Sequence, residues 1–471
     1  MQLSDTKRER DNMKRSGVVL SFLLLLTGCA HVSRDSGLSS YARGLLYERE
    51  ENRADAEKAY RQALLQEGES SYLYVKLGNL YVKEKKTAEA KRAFFRALKL
   101  DPGNSDAMFS LGVTYILENN QRLAASYLEK GLALEPGNQS ARIMLCDILV
   151  AQERLGDAEK QYEILLEAFP ANYLLWFNKG NILERMGKLE EAEKAYLSAI
   201  RLSPGFWKGV VATALLYSRQ DRETEAMEYF RKAVRINPKD SVSYSFISFA
   251  LYKEKKLKEA KETLQEAMDN GIRNTEFYNL MGIIYTEEEH YKEAETFFRK
   301  SAELQDTSAV RFYLGIVYDK LKLPEKMEEE MKQAIKLDPE NALALNFLGY
   351  SYLLQDKNLQ DAGRMIKKAC SIEPDNGAFI DSLGWLYFRQ GNYRKARKYL
   401  EQAAGMEKDP EIYQHLGELY LQLEEYEKAL NWFMKAYEME QKKELLDKID
   451  EVKERIKNGI NRKDIERSSP D

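Results

Sequence analysis

The chain is poor in the residues that carry chemistry. Among its 471 residues are three histidines, His31, His290 and His415, no two of them near one another, and three cysteines, Cys29, Cys146 and Cys370. There is no His-Glu-x-x-His, Cys-x-x-Cys or Gly-x-Ser-x-Gly, and no glycine loop of the phosphate-binding kind. This leaves no catalytic candidate, no metal-ligand set and no cofactor site, and it argues against an enzyme. The formal charge is −4, with 31% charged residues of mixed sign and no basic stripe, which argues against nucleic acid as a partner. Long apolar runs are missing too. The run at residues 17–26 is about half the ~20 residues that a membrane-spanning helix needs.

Proline is scarce, ten in all, yet Pro102, Pro136, Pro170, Pro204 and Pro238 stand 34 residues apart. A period of that length marks a stacked array of helical hairpins. The unit before Pro102 carries Tyr74, Leu77, Gly78 and Tyr81, then Ala90, Phe94 and Ala97. The unit before Pro204 carries Trp176, Gly180 and Leu183, then Ala192, Tyr196 and Ala199. Intervals of three and four put each set on one helix face, and a polar turn such as Lys85-Lys86-Thr87 divides the two. A small residue at Gly78 or Gly180 lets the second helix approach, and Ala90 or Ala192 receives it. Tyr81 and Phe94 are expected to fill the wedge between hairpins. Proline, with no N–H and a bias against helix in the residue before it, closes the second helix.

This pattern resembles the tetratricopeptide repeat over roughly residues 40–440. Twelve units are anchored at Gly44, Gly78, Gly112, Cys146, Gly180, Ala214, Ser248, Gly282, Gly315, Gly349, Gly384 and Gly417. The step is 34 through Gly282, then 33, 34, 35 and 33, with irregular steps near Asp306-Thr307 and Asp356-Lys357-Asn358. Arg142 and Arg311 stand where an apolar residue is usual. The resemblance implies an all-α fold, a right-handed superhelical solenoid of about twelve helix-turn-helix units. A capping helix is expected over 441–460, with Leu445, Leu446, Ile449, Val452 and Ile456 on one face, then a disordered tail over 461–471. Cys146 takes a small-residue position in the fourth unit and Cys370 lies in the tenth. Several layers at about 8–10 Å each separate them, too far for a disulfide, and both are read as packing.

The front of the chain carries an address. Lys14 and Arg15 precede the apolar run, and Leu26-Thr27-Gly28-Cys29 resembles the bacterial lipobox, cut before an acylated cysteine. Residues 1–28 are therefore expected to be a lipoprotein signal peptide, with the true start at Met13 because Asp5, Glu9 and Asp11 suit a signal poorly. Cys29 would carry the lipid, enough chains for stable membrane anchoring, and residues 29–39 would be a tether. Ala30 follows the cysteine, and an aspartate there would retain the protein at the inner membrane. The expected place is the outer membrane, facing the periplasm. Without residues 1–28 the formal charge is −6, which argues against solenoid binding to anionic lipid.

In the family, first helices line a groove with the second, fifth, ninth and twelfth residues of each unit. Those positions hold Phe109, Val113 and Ile116 in unit three, and Leu174, Phe177 and Asn181 in unit five. They hold Tyr350 and Leu353 in unit ten, and Asp381, Trp385 and Phe388 in unit eleven. Large apolar groups exposed there would mark a binding surface for a protein segment, centred on Tyr350, Trp385 and Phe388. The competing reading is that these three cover a neighbouring repeat or the capping helix. A clamp for a terminal carboxylate is not expected, because Ser110 and Ala212 stand where its companion asparagine would be. Glu287–Glu289 and Glu328–Glu330 are read as solvated helix surface. The expected function is a membrane-anchored periplasmic scaffold for protein segments during envelope or secretion-complex assembly. A polysaccharide-export or carbohydrate-binding lipoprotein is the alternative.

Overall fold

The computed structural model describes residues 37–468, with side chains as far as Lys457. The expected signal segment 1–28, its start at Met13, Cys29 and His31 lie outside the described residues. Helices joined by turns account for the described chain, with no strand among the described residues. They pair into twelve hairpins, numbered here in chain order, from Gly37–Arg49 with Arg53–Glu67 to Pro410–Gln422 with Tyr426–Met439. A final helix, Lys443–Ser468, runs past the expected end at 460. Beyond 460 it carries Arg462, Lys463, Glu466 and Arg467, good helix formers, and no glycine or proline stands between there and Pro470. The chain divides into two compact units, one ending at Ala226 and one starting at Met227.

Local chemistry sets the helix ends. Asn104, Asn138, Asn172, Asn274, Asn341 and Asn376 each accept a backbone N–H two or three residues ahead, starting a first helix. Every hairpin turn holds a left-handed residue, from Glu51, Lys85 and Asn119 through to Gly391 and Glu424, with φ between 53° and 76°. The N–H after it returns to the first helix, as Lys86 to the Tyr81 carbonyl at 2.9 Å and Glu425 to that of Tyr420 at 2.9 Å. The evenly spaced prolines stand two residues past the second helices that end at Leu100, Leu134, Ala168, Leu202 and Ile236. The long step is absorbed in the turn of hairpin 10, where Asp356 and Asn358 are both left-handed. The short step into hairpin 9 uses a three-residue link, 305–307, in place of four as at 101–104.

The packing corrects one expectation about the wedge. Phe94 lies inside its own hairpin: a Cβ on Gly78 would sit 2.4 Å from the Phe94 ring. Tyr60 fills the same place against Gly44, Tyr196 against Gly180, and Phe298 against Gly282. The tyrosines three residues after the small anchors do join hairpins. Tyr81 donates its hydroxyl to Glu57 at 2.7 Å, Tyr318 to Glu295 at 2.8 Å and Tyr352 to Glu328 at 2.7 Å, each in the preceding hairpin.

The acidic runs also tie repeats together, so reading them as solvated surface is only partly right. Glu287 accepts from Tyr252 and Lys255, and Glu288 pairs with Lys261 at 2.6 Å. Burial alone would raise the Glu328 carboxyl, but hydrogen bonds from Lys332, Lys357 and Tyr352 hold it down at about 2. Cys146 is buried and Cys370 half-buried, and burial pushes their thiols up to about 12 and about 11. Neither is a ready nucleophile. At the far end Leu445, Ile449 and Val452 are buried in one cluster with Phe433 and Ala436, while Leu446 is exposed.

Candidate functional site

Exposure at the groove positions depends on what the neighbouring helix presents. In the first unit Phe109 is buried, contrary to expectation, because its ring occupies the space a side chain at Gly131 would need. Val113 is half-buried and Ile116 exposed. Phe177 is half-buried, edge-on to Phe206 with centroids 5.0 Å apart, and Asn181 accepts the Tyr196 hydroxyl at 2.8 Å. In the second unit Leu353 is fully buried, again contrary to expectation, in an apolar cluster with Leu383 and Leu386 of hairpin 11.

Tyr350, Trp385 and Phe388 are half-buried and joined by His415 of hairpin 12. The Trp385 ring is stacked on Phe388 at 4.5 Å and on the His415 imidazole at 4.1 Å. His415 Nδ1 lies 2.8 Å from Asp381 Oδ2, and its Nε2 lies 3.2 Å from the Tyr350 hydroxyl. That hydroxyl donates to Glu411 Oε1 at 2.6 Å. Burial opposes charge on His415, but the Asp381 carboxylate outweighs it and the imidazole pKa stands above its ordinary value. The three aromatics thus form a seam across hairpins 10, 11 and 12, the geometry of the competing reading. Trp385 Nε1 is buried with no hydrogen-bond partner. Elsewhere, His290 sits in an exposed turn, 3.7 Å from Glu288.

An apolar opening lies instead in hairpins 7 to 9, at residues that sequence reading passed over. The first helix of hairpin 7, Ser241–Lys253, has no charge before its last residue and carries apolar side chains beyond its core-facing side. It projects Val242, Phe246 and Phe249 outward, 42%, 40% and 51% exposed. Phe246 is held by stacking on Phe230 at 4.7 Å. With Leu280, Ile283 and Tyr313 these phenylalanines line a cleft of about 430 Å³. Asn279 also lines it, and its side-chain oxygen is buried without a hydrogen-bond partner. The cleft can therefore take a large apolar side chain and a hydrogen-bond donor beside it. Its signal in the sequence was the uncharged helix, which an isolated hairpin could not keep exposed without use. Among the described residues no group of three or more His, Cys, Asp or Glu is placed to hold a metal ion.

Comparison with known proteins agrees with this architecture. Models of the tetratricopeptide repeat match residues 75–139, 143–205 and 382–442, and a second set matches 212–240, 275–307 and 310–341. A TPR repeat-containing protein of Pseudomonas aeruginosa is 29% identical over 109 residues, 22% of this chain and 18% of that protein. The chain thus spans less than a fifth of that relative's length. Among solved structures, Naa15/Naa10 bound to HypK-THB matches at 15% identity, covering 84% of this chain and 68% of that one, with a TM-score of 0.43. The Cut9–Hcn1 hetero-tetramer matches at 13% identity, covering 81% and 96%, with a TM-score of 0.41. With repeat matches in both units and one packing rule carried through twelve hairpins, the chain belongs to the tetratricopeptide repeat family.

Proposed function

We propose that this protein is a lipid-anchored periplasmic scaffold that grips a segment of a protein partner in the cleft of hairpins 7 to 9. Tetratricopeptide repeats serve protein interaction, and the exposed Phe246 and Phe249 beside an unpartnered buried oxygen of Asn279 carry the choice of site. An extended or helical segment would insert an apolar side chain between the rings and donate an N–H to Asn279. Seam residues Tyr350, Trp385 and Phe388 would then support the scaffold rather than the contact. Cys29 would supply the lipid at the outer membrane.

A photo-reactive amino acid at Phe249, compared with one at Leu304 on a second helix, tests the cleft in living cells. The expected result is an adduct at Phe249 only, mapped to one partner segment. A synthetic peptide of that segment should then bind at least tenfold more weakly to Phe249→Ser, with the helical spectrum unchanged. Equal adducts at both positions, or peptide binding indifferent to Phe249→Ser, would reject the cleft. The anchor is tested separately. Palmitate incorporation should occur in the native chain and vanish in Cys29→Ala, and a native chain that takes up no palmitate removes that part of the reading.

A further inference from the structure

Arg142 and Arg311 occupy the same place in hairpins 4 and 9, four residues before Cys146 and Gly315. Their surroundings differ in a telling way. Arg311 is 26% exposed and holds two carboxylates. Its Nε and Nη2 donate to Asp306 at 2.7 and 3.0 Å, and its Nη1 donates to Glu330 at 2.9 Å. Arg142 is 6% exposed, yet it meets no carboxylate within ion-pair distance among the described residues. Where Asp306 precedes Arg311 by five residues, Gly137 precedes Arg142. Where Glu330 follows by nineteen, Gln161 follows. Arg142 Nη1 donates to Gln161 Oε1 and Nη2 to the Pro136 carbonyl at 2.7 Å, both neutral acceptors.

The carbonyl bond does not explain the charge. In hairpin 5 the uncharged Trp176 indole, at the same place, donates to the Pro170 carbonyl at 2.8 Å. A buried cation without a counter-charge is strongly disfavoured unless something neutralises it. Around Arg142 lies an open pocket of about 340 Å³, floored by Leu132, Leu145 and Leu149. Its rim acids are already engaged, since Arg154 pairs with Asp157 at 2.8 Å and Glu129 at 3.4 Å, and Lys160 lies 3.9 Å from Asp157. One cation is left over, and it is the buried one.

We propose that this pocket binds a carboxylate supplied by a partner polypeptide, an acidic side chain or a free C-terminus. It takes the place that the chain's own acids fill around Arg311. A planar guanidinium suits a carboxylate fork, and the leucine floor suits the methylenes behind it. The site uses residues remote in sequence from the cleft of hairpins 7 to 9, so either can fail alone.

Two probes at matched ionic strength separate the sources: N-acetyl-glutamate α-amide for a side chain and N-acetyl-alanine for a C-terminus. The full-length chain, labelled with ¹⁵N at arginine, is followed by its Nε–H resonances and its melting temperature. One probe should shift a single arginine resonance saturably and raise the melting temperature, where sodium chloride does not. Gln161→Glu, and separately Gly137→Asp, restore an acid at the hairpin 9 positions. Each should raise the melting temperature of the unliganded protein and reduce the probe response at least tenfold. If neither probe shifts a resonance, or if the response survives both substitutions, the proposal is overturned.

Discussion

Glycines that look alike in the sequence have opposite jobs here, and the difference lies in what a methyl group would meet. A Cβ on Gly78 would come within 2.4 Å of the Phe94 ring, which is fully buried and has nowhere to go. Gly156, in the helix Leu155–Ala168, has nothing within 4 Å of that position. Gly78→Ala should therefore destabilise by about 1–3 kcal/mol through overpacking. Gly156→Ala should stabilise by up to about 1 kcal/mol through helix propensity and a less disordered unfolded chain. Urea midpoints of the two variants check the pair, and equal signs would contradict the packing. Spacing announced Gly78, since small residues recur every 34 positions. It could not announce that a ring from the same hairpin fills the space.

At the scale of one hairpin, turns are set by length more than by residue type. Eleven of the thirteen left-handed residues in these turns are not glycine, among them Lys85, Lys322 and Glu424. A left-handed conformation costs a side-chain-bearing residue about 1–2 kcal/mol, and the Schellman closure and helix packing hold it there. Glu424 is exposed and has φ 60°, so Glu424→Gly should stabilise the last hairpin by roughly 0.5–1 kcal/mol, the relief less the added chain entropy. Hydrogen exchange of Tyr426–Met439 checks this, and slower exchange is the expected result. The existence and number of hairpins were legible because proline, glycine and alanine repeat in register. The groove was legible only as positions. Phe109 and Leu353 fell at groove positions and are buried, since accessibility there depends on the helix alongside. Phe246 fell off those positions and is exposed, in a helix whose lack of charge was the readable clue. Arg142 and Arg311 were visible as exceptions, and comparing residues five before and nineteen after would have separated them.

Across the molecule, stability in a repeat array is a sum over neighbouring pairs. The seam in hairpins 10 to 12 adds something further, because Tyr350 reaches past hairpin 11 to Glu411 and His415 in hairpin 12. That tie lies beside the final helix, where a one-dimensional stack would otherwise fray. Its strength should follow pH. Burial works against a charged His415, but Asp381, with Glu411 and Glu418 nearby, raises its pKa above the ordinary value of about 6.5. A basic group whose pKa is higher folded than unfolded stabilises the fold below its unfolded pKa. That stabilisation is lost as pH rises through the folded value. Exchange protection in hairpins 10 to 12 should therefore weaken as pH climbs from about 6 to about 9, after correction for intrinsic rates. His415→Gln should flatten that dependence, while hairpins 1 to 5 keep theirs. Tyr350→Phe should reduce protection in hairpins 10 and 12 but leave the pH slope in place, because the Asp381 partner remains. If protection instead grows with pH, the imidazole is held neutral and the seam is a hydrogen-bonded stack rather than an ion pair.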